Sequence, residues 1–143
     1  MFGSRLFFLA LTITQPVFAQ SVGSGIQLLS ARQVSVDQAN RPHVETYIAV
    51  DPRDPQHLLA TAMVVVHGEM QAFPYASFDG GRTWARGRII GDSSISGAGA
   101  GDPVVYITNA GVSLFSTLAN VDGIPRSLVA RSTDGGRTWR TTA

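Results

Sequence analysis

The side chains that could do chemistry in this 143-residue sequence lie at the ends of short β-rich runs and in the turns between them. Carboxylates and imidazoles at such positions are the groups from which acid–base and binding sites are built. The candidates are His43, Glu45, His67, Glu69, Asp92, Asp102, Asn120 and Asp122. Because loops are also polar for solvation alone, the sequence assigns no catalytic residue among them.

Two further aspartates belong to an eight-residue segment that occurs twice, SFDGGRTW at 77–84 and STDGGRTW at 132–139. An aspartate in a turn accepts backbone N–H groups, the glycines after it permit positive φ, and a tryptophan adds apolar area. This turn chemistry explains both aspartates as structural residues. The residues of the two segments with such a role are Ser77, Asp79, Gly81, Thr83 and Trp84, and Ser132, Asp134, Gly136, Thr138 and Trp139.

The elements that must position these groups also repeat. From residue 79 to residue 134 the period is 55 residues, which is near the length of a propeller blade. Four short β-rich runs, separated by turn residues, fall in each unit. They are 47–50, 58–66, 73–78 and 83–90 in the first unit, and 104–107, 112–118, 127–132 and a run from 138 in the second.

The repeated pattern Ser-x-Asp-x-Gly-x-Thr-Trp resembles the bacterial neuraminidase repeat, or Asp box, of sialidases and related β-propellers. Residues 45–52 and 101–105 are similar to inner-strand openings of exo-α-sialidase-like proteins, so the likeness covers about residues 43–140. It implies an all-β fold with two four-stranded antiparallel blades of a sialidase-like β-propeller, in an incomplete ring. In this family the Asp box ties the third strand to the fourth, away from the reaction centre.

The same likeness suggests how the chain is organised. We expect a signal peptide at 1–19, a lead-in at 20–44 with a strand near 26–34, one Asp-box blade at 45–100 and a second, truncated one at 101–143. A six-bladed ring at this spacing would need about 330 residues. An open pair of blades would leave strand edges and apolar faces uncovered.

The N-terminal segment has the character of a secretory signal. Arg5 precedes the apolar run 6–13, and small or modest residues stand before Gln20. The run is shorter than the roughly 20 residues of a membrane span, so no stable span is expected after cleavage. A secreted or periplasmic location follows, and with no cysteine the chain needs no disulfide there.

Charge and spacing argue against several classes of ligand. The 11 basic and 10 acidic residues are mixed along the chain, so nucleic acid is not an expected partner. His43, His57 and His67 lack ligand spacing and are expected to be solvated loop or strand residues, with no metal site. The glycine-rich run 97–101 lacks the context of a phosphate loop, and no cofactor is expected.

Strand topology gathers the candidates. Alternate turns of an up-and-down meander share one end of its strands. If the Asp boxes are third-to-fourth turns, the second-to-third loops and the first-strand openings lie at the other end, and all eight candidates share one rim. Glu45 and Asp102 are the strongest candidates for a binding or catalytic role, because they lie at the openings of inner strands, which converge on the axis of a propeller.

Two functions remain open from sequence. One is an exported recognition scaffold for a glycan or an extracellular protein, and the other is the N-terminal part of an exo-α-sialidase-type glycoside hydrolase. For the hydrolase, the resemblance to sialidases implies an arginine triad that binds the substrate carboxylate. The first of these arginines lies in an Arg-Ile-Pro motif, where this chain has Val44-Glu45-Thr46. A glutamate there repels a carboxylate. Residues 124–126, Ile-Pro-Arg, contain the residue types of the motif in a different order and location and do not restore it. The chain alone is expected to be inactive.

Overall fold

The computed structural model describes residues 30–90 and 100–141, which fold as an all-β protein with a single turn of 3-10 helix at Val36–Gln38. The strands within these residues are β1 (His43–Asp51), β2 (Asp54–Val66), β3 (Glu69–Ser77), β4 (Ala85–Arg86), β5 (Arg88–Ile90), β6 (Gly101–Ile107), β7 (Ser113–Val121), β8 (Ile124–Ser132) and β9 (Thr138–Thr141). The all-β prediction is confirmed.

The strands form two sheets. Sheet 1 has the order β1-β2-β3-β4 and is antiparallel throughout. Sheet 2 has the order β5-β9-β8-β7-β6 and is antiparallel except for the parallel pair β5 and β9. Neither sheet closes on itself, so each keeps two edges.

The run 83–90, predicted as one strand of the first unit, is instead divided at Gly87. Before it, β4 pairs with β3, and after it, β5 crosses to sheet 2 and pairs with β9. The Gly87 N–H donates to the Pro74 carbonyl at 2.9 Å. A Cβ on Gly87 would overlap the Trp139 indole, so only glycine lets the chain pass between the sheets here.

Matched hairpins join the long strands of each sheet. His67-Gly68 connects β2 to β3, and Asp122-Gly123 connects β7 to β8. Both residues of each turn have positive φ, 52° and 85° in the first and 54° and 76° in the second. Two-residue turns with this backbone match the right-handed twist of the strands and set the register.

Matched bulges open the first strand of each sheet. The register of β1 against β2 shifts between Val44 and Tyr47, and that of β6 against β7 shifts between Gly101 and Val104. In each bulge one non-glycine residue has positive φ, 51° at Glu45 and 45° at Asp102. Such a backbone costs free energy for an L-amino acid, so both bulges hold strained residues.

The main core lies between the two sheets. Side chains alternate across a strand, and Leu59, Ala72 and Ala76 lie on the face of sheet 1, here called its front, that meets sheet 2. The back of sheet 2 meets them with Val105 and Phe115, among other buried residues. Buried apolar area of this kind contributes most of the stabilisation of a small β domain.

A second, smaller core covers part of the opposite face of sheet 1, here called its back. Ala60, Val64 and Tyr75 lie there, and Val34 of the lead-in packs against them. The Tyr75 hydroxyl donates to Gln38 Oε1 at 3.3 Å, which fixes the 3-10 turn to the sheet. Burial, and to a lesser extent the charge of Asp37, raise the pKa of Tyr75 to about 12.

Several predicted segments fall outside the described residues. These are the signal peptide at 1–19, most of the strand at 26–34, the greater part of the glycine-rich run 97–101, and the last two residues. The described part of the predicted lead-in strand, 30–34, is not in a sheet. No helix among the described residues is long and apolar enough to span a membrane.

Candidate functional site

The openings of β1 and β6 and the two hairpin tips lie at the same end of the strands, called the rim below. Register shows this, because His43 pairs with Val64 near the hairpin in sheet 1, and Gly101 pairs with Leu118 near the hairpin in sheet 2. The candidates placed at this end are His43, Glu45, His67, Glu69, Asp102, Asn120 and Asp122. Asp92 lies outside the described residues.

Glu45 and Asp102 are brought together across the two sheets. The Asp102 backbone N–H donates to Glu45 Oε2 at 3.2 Å, and both side chains are exposed. A carboxylate that accepts a backbone N–H is held in place without being neutralised. The pair therefore forms a fixed acidic group at the junction of the repeats.

Other contacts hold the bulge of β6 in position. The Ala100 N–H donates to the Met70 carbonyl at 3.1 Å, which ties this strand opening to the first hairpin of sheet 1. The Thr117 hydroxyl donates to the Gly101 carbonyl at 2.7 Å from the neighbouring strand. The site is thus built on strands rather than on a free loop, and that limits the movement of its groups.

His43 is at the rim, but its ring turns to the back of sheet 1. Its Nδ1 lies 2.7 Å from the Arg41 carbonyl, so Nδ1 carries the proton that is donated. Its Nε2 is buried and has no protein partner among the described residues. The ring lines a groove of about 360 Å³ with Ile48 and Ala60, separate from the acidic pair.

The remaining candidates are not assembled into one site. His67, Glu69, Asn120 and Asp122 are exposed at two separate hairpins. Within the described residues, no group of three or more His, Cys, Asp and Glu side chains is placed to hold a metal ion. The chemistry of the rim is therefore that of two acidic residues joined by a backbone-to-carboxylate bond, whose carboxylates accept hydrogen bonds from hydroxyl, amide or ammonium groups.

The two repeated segments 77–84 and 132–139, called Asp boxes here after the pattern that they resemble, lie at the opposite end of the strands. In the first box, Asp79 Oδ1 accepts the Thr83 N–H at 2.9 Å and Oδ2 accepts the Thr83 hydroxyl at 2.6 Å. Ser77 donates its hydroxyl to Asp79 and accepts the Gly81 N–H, both at 2.9 Å. The bonds from Thr83, followed by that from Ser77, lower the pKa of Asp79 to about 2.

The second box repeats this geometry. Asp134 accepts the Thr138 N–H at 2.9 Å and the Thr138 hydroxyl at 2.6 Å, and Ser132 accepts the Gly136 N–H at 2.8 Å. Burial opposes ionisation of Asp134, but the bonds from Thr138 and Ser132 outweigh it and lower its pKa to about 2. Every carboxylate oxygen of both boxes is used within its own turn, which leaves none directed at a ligand.

Each box also holds its tryptophan in the same way. The Trp84 indole N–H donates to the Gly81 carbonyl at 3.0 Å, and the Trp139 indole N–H donates to the Gly136 carbonyl at 2.9 Å. The surroundings differ, since Trp139 is fully buried between the sheets whereas Trp84 is half-buried against the back of sheet 1. The two tryptophans are equivalent within their hairpins but not in what covers them.

A buried network at the Asp-box end was not anticipated from the sequence. Asp51 accepts a two-point ion pair from Arg53 at 3.0 and 2.8 Å and a bond from His57 Nδ1 at 2.9 Å. Arg53, then His57, hold the pKa of the Asp51 carboxyl well below its usual range. His57 is therefore a buried strand residue, and the expectation that it is solvated is wrong for it.

The same histidine joins the two repeats. His57 Nε2 lies 3.0 Å from the Gly135 carbonyl in the second Asp box, and its ring stacks on Phe78 at a centroid distance of 4.9 Å. The Arg137 guanidinium lies over the Phe78 ring, 3.6 Å from its centroid. The His57 ring therefore bridges the Asp51 carboxylate of the first repeat and the Gly135 carbonyl of the second.

Comparison of the chain with protein-family models, with curated proteins and with solved structures gives no match in any of the three. Function is therefore inferred from the residues and their geometry. The two acidic residues of the rim and the two Asp-box turns with the same hydrogen bonds are the features that bear on function.

Proposed function

We propose that this chain is an exported portion of an Asp-box β-propeller whose rim recognises a glycan or an extracellular protein without catalysing a reaction. Two sheets with matched hairpins, matched bulges and matched box turns support the repeat part of the proposal. Adjacent propeller blades are related in this way, each being a short antiparallel meander.

The observation that carries recognition is the pair of exposed acidic residues Glu45 and Asp102, both with a strained backbone of positive φ. A non-glycine residue with positive φ costs about 1 kcal/mol or more, and such strain concentrates at functional sites. Here it occurs at the same place in both repeats, and the Glu45 carboxylate accepts the Asp102 backbone N–H there. Bulges next to a site redirect side chains in this way.

Charge selects the class of ligand. Carboxylates on two residues in contact favour hydroxyl or ammonium donors of the ligand and disfavour a ligand carboxylate. Tyr47, two residues after Glu45, is half-exposed and offers an apolar ring with a polar tip. Among glycans, we therefore favour uncharged or amino-bearing sugars over sialic acid.

Binding to arrayed glycans tests this proposal. The chain should bind one or more neutral or amino-sugar glycans and should bind their sialylated forms less. Glu45→Gln and Asp102→Asn should each weaken that binding at least tenfold, whereas Glu69→Gln, a matched change at the neighbouring hairpin, should leave it unchanged.

A different pattern would reject the proposed site. Equal binding by all four proteins, or stronger binding to sialylated glycans, would exclude the acidic pair as the recognition group. Binding to a protein partner alone, with the same dependence on Glu45 and Asp102, would keep the rim as the site and exclude glycans as its ligand.

Export is proposed on the leader-like segment at 1–19. Expression of the whole chain in a Gram-negative host should give periplasmic or extracellular protein with Gln20 at its N-terminus, as N-terminal sequencing would show. Variants with charged residues introduced into the apolar run 6–13 should stay inside the cell and keep Met1 at the N-terminus. Unprocessed wild-type protein in the cytoplasm would contradict export.

A further inference from the structure

The two sheets pack in a head-to-tail manner, with the front of one against the back of the next. Leu59, on the front of sheet 1, contacts the cluster that contains Val105 and Phe115, on the back of sheet 2. Phe115 occupies in sheet 2 the position of Ala60 in sheet 1, since the two are 55 residues apart (60 to 115), as are the Asp boxes. Sheet 1 thus presents its front to the back of sheet 2. The back of sheet 1, which is equivalent to that buried back of sheet 2, lies outside the interface.

Two apolar positions show what this leaves uncovered. Ile48 pairs with Ala60 in the way that Val105 pairs with Phe115, so Ile48 and Val105 are equivalent. Val105 is 1% exposed between the sheets, whereas Ile48 is 58% exposed on the back of sheet 1. The next pair of equivalent residues shows the same difference, since Ile107 is 3% exposed and Val50 is 54% exposed.

The tryptophans of the Asp boxes repeat the contrast. Trp139 is buried under the front of sheet 1, and the equivalent Trp84 is only half-covered. The described part of the lead-in, from residue 30, packs Val34 on the part of the back formed by β2 and β3. It does not cover the strip along β1, where His43 and Ile48 line the 360 Å³ groove. The uncovered strip is therefore the surface that, in the second repeat, forms the interface.

The complementary surface is also exposed. The front of sheet 2 carries Val104, Tyr106 and Leu118, all with large exposed apolar side chains. Leu118 corresponds to Met63, which is buried on the front of sheet 1. One molecule thus exposes the back of sheet 1 and the front of sheet 2. These are the two kinds of surface that already pack together between its own sheets.

We infer that a second copy of this chain docks head-to-tail, with the Ile48 and Val50 strip of one copy on the Leu118 face of the other. The occupant is a second copy because the two open faces continue the interface that sheets 1 and 2 form within the chain. A heterologous contact of this kind closes into a ring where the rotation per copy permits and otherwise extends as an open assembly. Arg131 stands where the front of sheet 1 has Ala76, so contact between copies is weaker than contact within the chain.

Complementation between two variants tests this arrangement. Ile48→Lys places a charge on the back strip, and Leu118→Lys places one on the opposite face. By sedimentation velocity, the wild-type chain should associate with rising concentration, and each variant alone should be monomeric. An equimolar mixture of the variants should form a species of twice the monomer mass, because each retains the face that the other has lost.

The design separates failure to fold from failure to dock. Thr133→Lys, on the exposed turn of the second Asp box, is the matched control and should associate like the wild type. Formation of the mixed dimer also requires both variants to be folded. A wild-type chain that stays monomeric, a mixture that does not dimerise, or a single variant that still self-associates would each overturn the inference.

Discussion

At the scale of single residues, the Asp-box carboxylates illustrate how an acidic side chain can be wholly committed to a turn. The Asp134 carboxylate accepts three local hydrogen bonds, from the Ser132 hydroxyl, the Thr138 hydroxyl and the Thr138 backbone N–H. Removing the carboxylate leaves that N–H and two hydroxyls without their acceptor. The consequence is a cost to folding rather than to ligand binding.

We therefore expect Asp134→Ala to reduce the free energy of unfolding by about 1–3 kcal/mol, the cost of leaving such donors unpaired. Asp79→Ala should have a smaller effect, because the first box is more exposed and water can replace its acceptor. Urea denaturation of both variants measures the difference. Equal stability of wild type and both variants would contradict this role.

The same carboxylates predict how stability depends on pH. Asp79 and Asp134 have pKa values lowered from 3.8 to about 2 in the folded protein, so each favours folding when ionised. That contribution is complete above pH 4, roughly the pKa of the unfolded chain, and is lost as pH falls towards 2. Melting temperatures between pH 5 and 2 should decline less steeply in Asp79→Asn/Asp134→Asn than in the wild type. Parallel profiles would show that other groups control acid unfolding.

At the scale of strands and turns, the bulges at Glu45 and Asp102 exchange stability for the placement of side chains. Glycine adopts positive φ without the cost that other residues incur. Glu45→Gly should therefore be more stable than Glu45→Ala by about 1 kcal/mol, although both lack the carboxylate. Thermal unfolding of the two variants tests this, and a less stable glycine variant would show that the bulge is not strained.

The Asp-box turn has a further requirement, which is space. A Cβ at Gly136, where φ is 89°, would lie 3.2 Å from the Trp139 ring and 2.5 Å from Leu59. A Cβ at Gly123, where φ is 76°, would meet nothing within 4 Å. Gly123→Ala should cost about 1 kcal/mol for its backbone alone. Gly136→Ala should cost clearly more, and equal denaturation midpoints would exclude a steric role for Gly136.

Much of this element-level structure follows from sequence, and its exceptions have physical causes. Apolar runs and turn residues predict the positions of β2, β3, β7 and β8. The observed β3, β7 and β8 extend further towards their hairpins, whereas β2 begins earlier, at Asp54. Gly87 within a predicted strand is the signal for the break there, but only the position of Trp139 shows why the chain must cross. No local pattern marks the bulges, since their positive φ falls on ordinary acidic residues.

The candidate site is predicted in part for the same reason. Strand topology places Glu45 and Asp102 at one rim, but their contact depends on how the two sheets pack, which no single segment encodes. The network of Asp51 and His57 is missed because His57 gains its second partner, Gly135, from a distant turn. Sequence patterns describe strands and turns better than they describe the surfaces between sheets.

At the scale of the whole molecule, two sheets cannot surround a sugar as a closed ring can, and the acidic rim disfavours a carboxylate. We therefore expect no release of sialic acid from a fluorogenic sialoside by the purified chain. A blank from the same host without the chain is the control. Turnover above that blank that disappears in both Glu45→Ala and Asp102→Ala would establish the glycoside hydrolase alternative.

The crossing of β5 into sheet 2 has a consequence for the order in which the chain folds. Arg88 of the first repeat emerges from the ribosome directly after β4, but its ladder partner Thr138 is synthesised only near the end of the second repeat. Pairing over such a sequence distance is slow to form. In a nascent chain that has completed β1 to β4, β5 therefore stays unpaired until β9 has been synthesised. Pairing of β5 with β9 then joins the two repeats as a late step of folding.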